Sequence, residues 1–95
     1  MARAVFQGVT IAESDDVRAV EGTTYFPRDS VNEVALQRSE TTTRCPWKGK
    51  ASYWHVTADS ETAADAAFAY ERPWPLARRL VSGRIAFQGA IGVSE

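Results

Sequence analysis

The side chains best suited to chemistry in this 95-residue chain crowd into one stretch. The only cysteine (Cys45), the only histidine (His55) and both lysines (Lys48, Lys50) lie between positions 45 and 55. A thiol attacks as its thiolate, and a neighbouring imidazolium or ammonium lowers its pKa. Cys45 with His55 or Lys48 is therefore a candidate nucleophilic pair. The competing reading makes Cys45, directly before Pro46, a small and partly buried hydrophobe. His55 suits a packing or surface position beside Tyr53 as readily as it suits a base. Lys48-Gly49-Lys50 sets two cations around a flexible turn, which would hold an anion or simply be a solvated hairpin. Metal chemistry has little to work with, because a structural zinc needs four Cys, His or acidic ligands, usually as close pairs. No metal or other cofactor is expected. Glu13, Asp15 and Asp16 share one polar turn, whereas two-metal nucleotidyl transfer needs such carboxylates supported by others and by a phosphate-binding element. Neither a GxxxxGK[ST] nor a GxGxxG loop is present.

Composition narrows the classes further. Eleven Lys and Arg against twelve Asp and Glu give a net charge of −1. A dedicated nucleic-acid or membrane-surface binder needs a one-signed basic footprint, so neither partner is expected. Lys48 and Lys50 near Tyr53 and Trp54, and Arg72, Arg78, Arg79 and Arg84 near Trp74, are local hints against that reading, but acidic residues are interspersed. No apolar run reaches the ~18 residues that span a bilayer, and a lone cysteine fits a reducing, cytoplasmic setting. The length allows one domain, residues 1–95, with a modest core.

The elements that must position these groups read mostly as strands. Val5, Val9 and Ile11 alternate around Gly8, as two short strands meeting at a bend. Glu13 to Asp16 reads as a turn, Val17–Val20 and Thr23–Phe26 as strands split by Glu21-Gly22, with Pro27 as a stop. Ser30 and Glu33 have capping-box spacing for a short helix. Thr41-Thr42-Thr43 suits an edge strand or an extended loop. Ala51–Ala58 is the clearest strand, with Tyr53 and His55 on one face and Ser52, Trp54 and Val56 on the other. Thr62–Tyr70 is ambiguous, since its alanines favour helix while Phe68 and Tyr70 favour a strand. Pro75 to Leu80 reads as a second short helix stopped by Gly83, and Ile85–Phe87 and Ala90–Val93 as closing strands. The expectation is a mainly β single domain of antiparallel strands with two short helices.

The run Thr43-Arg44-Cys45-Pro46-Trp47-Lys48-Gly49-Lys50-Ala51-Ser52-Tyr53-Trp54 resembles the central motif of the domain-of-unknown-function 427 family, Thr-x-Cys-Pro-aromatic-Lys-Gly-x-Ala-x-Tyr-aromatic. Tyr25-Phe26-Pro27, Ala67-Phe68-Ala69-Tyr70 and Ile85-Ala86-Phe87 are similar to outlying family stretches, so the likeness covers about residues 3–90. It implies a small β-tent or barrel-like fold with residues 62–70 extended. The family carries a nucleotidyltransferase label, without a settled activity to transfer. The chain departs from the family pattern at Gln88–Gly92.

Read physically, Pro46 pins the backbone and Gly49 permits a turn, which holds Cys45 and Lys48 near Tyr53 and Trp54. Adding Tyr25 and Tyr70 builds an aromatic-walled patch with one cation and several hydroxyls, the mix found in small-ligand pockets. The opposing reading makes these aromatics the core of a small barrel. The leading expectation is a domain that binds a small molecule or anion, with Lys48 as charge contact, Arg28 as second cation, and Tyr25, Thr43, Cys45, Tyr53, Trp54 and Tyr70 completing the site. The alternatives are an enzyme working through Cys45 or by nucleotidyl transfer, and an interaction module forming a homodimer through a sheet edge or through Trp74.

Overall fold

Alternation organises the molecule, and it is plainest at Tyr25-Phe26 and Tyr53-Trp54, where adjacent aromatics turn to opposite sides of one sheet. The computed structural model describes residues 1–94. Its strands are β1 (Ala2–Phe6), β2 (Val9–Ser14), β3 (Arg18–Val20), β4 (Thr23–Pro27), β5 (Leu36–Cys45), β6 (Gly49–Ala58), β7 (Glu61–Ala69), β8 (Arg84–Phe87) and β9 (Gly92–Ser94), with one short helix, α1 (Arg78–Val81). They form a three-stranded sheet, β2-β1-β9, and a six-stranded sheet, β3-β4-β8-β7-β6-β5. Every neighbouring pair is antiparallel. The sheets pack together without closing into a barrel. The small mainly β fold is therefore the one expected.

The main core lies between the two sheets. Ala4, Phe6, Ile11 and Ala12 of the short sheet meet Phe26, Trp54, Val56, Ala67, Ala69, Ile85 and Phe87 of the long one. The alanines of β7 explain why its helical propensity loses. Ala67 and Ala69 are essentially inaccessible, and small side chains there let the second sheet approach closely. The other face of the long sheet carries a smaller cluster of Val20, Tyr25, Ala51, Tyr70 and Ala86. It is roofed by Ala77 and Val81, with Cys45, Trp47, Tyr53 and Phe68 packed against it.

Several local expectations are corrected. Ser30 is not a helix cap: its hydroxyl donates to the Pro27 carbonyl at 2.7 Å, and the Arg28 guanidinium takes the Glu33 carboxylate that a capping box would use. The segment forms two 3-10 turns, Arg28–Ser30 and Glu33–Ala35, the second capped by Asn32. The helix expected from Pro75 begins only at Arg78, after a turn over Trp74–Ala77. Glu13 and Ser14 belong to β2 rather than to a turn, pairing with Arg3 and Ala2. The closing strand is shorter than residues 90–93 and runs along β1 over Gly92–Ser94.

Both neighbours of β6 bulge at the same level. The β5–β6 register shifts between Arg38 and Thr42, and the β6–β7 register shifts between Trp54 and Val56. Asp65 sits in the β7 bulge at φ +51°. Its carboxylate accepts from the Ser39 hydroxyl at 2.5 Å and the Thr41 hydroxyl at 2.8 Å, tying the two bulges together. Its N–H donates to His55 Nδ1 at 3.1 Å. His55 is thus a fixture of the bulges, which sequence reasoning missed because no spacing marks a register shift.

Candidate functional site

The Lys48 turn is held from three directions. Pro46 fixes the approach from β5, and Gly49 takes φ +108°, a conformation open to a residue without Cβ. The chain after β7 then crosses over it. The Trp74 N–H donates to the Lys48 carbonyl at 3.1 Å, and a Cβ on Gly49 would stand 3.4 Å from the Trp74 ring. Beneath this strap the Lys48 side chain runs inward over the tyrosine face of the long sheet.

Lys48 is only 7% exposed. Its Nζ lies 5.3 Å from the Tyr70 ring centroid and 5.4 Å from that of Trp47. Its carboxylate partner is Glu21, at 2.5 Å. Glu21 stands on the two-residue β3–β4 turn with Gly22, both at positive φ, and its own side chain is exposed. Burial works to lower the Lys48 pKa, but the hydrogen bond to Glu21 and the fields of Tyr25 and Tyr70 outweigh it, so the ammonium sits above its ordinary value. The same hydrogen bond holds the Glu21 carboxyl below its ordinary value. Burial raises the Tyr25 and Tyr70 phenols, so both stay protonated near neutrality as hydroxyl donors.

The remaining tyrosine completes a wall. Phe68 stacks edge-on to Tyr25 and Tyr70, with centroids 6.1 and 6.4 Å away, and lies 5.7 Å from Tyr53. The Tyr53 hydroxyl shares a hydrogen bond of 3.1 Å with Thr43 on β5. Cys45 packs half-buried against this cluster. Six of the eight site residues expected from sequence (Tyr25, Thr43, Cys45, Lys48, Tyr53 and Tyr70) therefore share one face.

Arg28 and Trp54 do not join them. Trp54 points into the main core, with the Arg28 and Arg38 guanidinium carbons 4.7 and 5.0 Å from its ring centroid. Cys45 and His55 are likewise not brought together. Cys45 pairs with Gly49 at one end of the β5–β6 hairpin, and His55 stands six residues further along β6, roughly 20 Å at ~3.3 Å per residue. Glu21 is the residue that sequence reasoning missed at the lysine. It was legible as part of a glycine turn, but its pairing across 27 positions was not.

The geometry defines a small antiparallel β domain with a buried lysine set among tyrosines. The chain belongs to the family described as a domain of unknown function (DUF427), whose family model matches residues 1–93. No curated protein matches it.

Proposed function

We propose that this domain binds a small anionic molecule at Lys48, and that a carboxylate is the class it takes. The observation that carries this reading is the lysine itself. Burying an ammonium costs several kcal/mol before any partner is counted, and a small hydrophobic cluster has no packing need for one. Glu21 already seats a carboxylate on Nζ, from an exposed turn that lies outside the cluster. A ligand carboxylate arriving from solvent would take the place of Glu21, with the Tyr25 and Tyr70 hydroxyls as further donors and the rings of Tyr53, Phe68 and Trp47 as apolar walls. Nucleotidyl transfer, which the family's short name suggests, calls for convergent metal-binding carboxylates. Among the described residues no three His, Cys, Asp or Glu side chains converge in that way, so no observation favours transfer over binding.

The test is a calorimetric and thermal-shift titration with small mono- and dicarboxylates at constant ionic strength. A ligand at 100 times its dissociation constant raises stability by about 2.7 kcal/mol. Lys48→Met should abolish the response, and Glu21→Gln should strengthen it by removing the internal competitor. Carboxylates that bind Lys48→Met as well as wild type would overturn the reading.

A further inference from the structure

A second group of cations gathers on the opposite side of β6, away from Lys48. Where the strand ladder between β7 and β8 ends at Phe68 and Ala86, the chain beyond β7 diverges, and two hollows open on either side of Glu71. The larger, about 310 Å³, is lined by Arg38, Lys50, Ser52, Glu71 and Arg72. Glu71 takes both guanidinium nitrogens of Arg38, at 2.8 and 3.1 Å, a bidentate fork that fixes the arginine beside the hollow. Ser52 is 7% exposed, and its hydroxyl oxygen accepts from the same guanidinium at 3.4 Å. Lys50 and Arg72 line the hollow with no ion pair to any carboxylate among the described residues. Three cations against one carboxylate leave two positive charges in excess, in a chain whose net charge is −1.

Like charges gathered at an exposed hollow repel only weakly across water, but together they raise the local potential for an arriving anion. The excess of two matches a phosphate monoester, which carries about −1.5 to −2 near neutrality. The donor set matches too. Guanidinium groups present paired N–H donors to phosphate oxygens, and ammonium adds a point charge. A volume near the lower end of ligand pockets leaves room for a small organic group beyond the phosphate.

We propose that this hollow is a binding site for the phosphate group of a small phosphate monoester, held by Lys50, Arg72 and the Glu71-anchored Arg38. It is separate from the carboxylate site at Lys48, and neither depends on the other. The experiment follows glycerol phosphate and inorganic phosphate by ³¹P NMR and calorimetry at fixed ionic strength. Saturable binding is expected. The surface variant Lys50→Ala/Arg72→Ala should weaken it by about tenfold or more, as expected for lost ionic hydrogen bonds, while Lys48→Met leaves it unchanged. Affinity should also fall as pH drops through about 6, where the monoester takes up its second proton. Circular dichroism of the double variant checks that it folds. Non-saturable binding, binding that survives the double substitution in folded protein, or binding lost equally in Lys48→Met would each overturn the proposal.

Discussion

Where the long sheet meets β1 and β2, its strands present Phe26, Trp54, Val56, Ala67, Ala69, Ile85 and Phe87. On the reverse face the same strands present Tyr25, Ala51, Phe68, Tyr70 and Ala86. The first face is closed by another sheet, and the cluster it buries between the two sheets is apolar, with Ser52 the buried polar residue on that side. The second is closed by a four-residue helix and a turn, and it retains three phenolic hydroxyls, a thiol and an ammonium. Because side chains alternate, one stretch of chain serves both purposes residue by residue. The comparison sets a face closed by apolar packing against a face whose cluster keeps hydroxyls, a thiol and an ammonium.

The largest expected effect lies on the first face. Phe26 is inaccessible to solvent and packs against Phe87 with ring centroids 5.7 Å apart. Phe26→Ala should lower the unfolding free energy by ~3–5 kcal/mol, a large share of what a domain of this size has. Urea denaturation measures it. A loss below about 1 kcal/mol would remove the distinction between the faces.

On the second face, Lys48→Met should leave stability within about 1 kcal/mol of wild type, because an apolar side chain of similar volume replaces the buried ammonium and the Glu21 carboxylate it leaves is exposed to water. Equilibrium unfolding gives the number. A loss of about 3 kcal/mol or more would make Lys48 a structural keystone and merge the two faces into one core.

Acid titration probes the polar fastenings around the sheet. Hydrogen bonds from Lys48 lower the Glu21 pKa, those from Arg38 lower that of Glu71, and those from Ser39 and Thr41 lower that of Asp65. A carboxyl depressed in the folded state contributes stability above its unfolded pKa and loses it as pH falls through the folded one. Lys48 is raised, so its contribution is complete below the ordinary ammonium value of 10.5 and is lost only as pH rises through the folded value. The melting temperature should therefore be level from about pH 6 to 9 and fall below the ordinary Glu value of 4.5. Asp65→Asn and Glu71→Gln should each flatten the acid limb. A decline already between pH 7 and 5 would contradict these assignments.

How much of this was legible beforehand depended on whether the signal was local. The alternation in Ala51–Ala58 divided Tyr53 from Trp54 correctly, and the Pro46 to Gly49 turn brought Cys45 and Lys48 to the tyrosines. Arg28 was placed with Lys48 but belongs on the Trp54 side, since nothing near Pro27 shows which way the chain turns after β4. Residues 62–70 stayed ambiguous by local signal, alanines for helix against Phe68 and Tyr70 for strand, because the second sheet that buries the alanines is not visible locally. The bulges at Ser39–Thr41 and Asp65 were invisible, because a register shift is a relation between strands. For the same reason the pairing of Arg38 with Glu71, 33 positions apart, left no trace in spacing.

The smallest effect sharpens the comparison most at the edge of the second face. Thr43 is exposed on β5, the outer strand, and its hydroxyl meets Tyr53 at 3.1 Å. Thr43→Val keeps the β-branched shape and removes one solvent-accessible hydrogen bond, so stability should change by less than about 1 kcal/mol. If the tyrosine face is a binding surface, the same substitution frees the Tyr53 hydroxyl for a ligand, and carboxylate affinity should shift while the melting temperature barely moves. A change in stability with none in affinity would assign the Thr43–Tyr53 bond to holding β5 on β6, and would confine the binding surface to Lys48 and the two buried tyrosines.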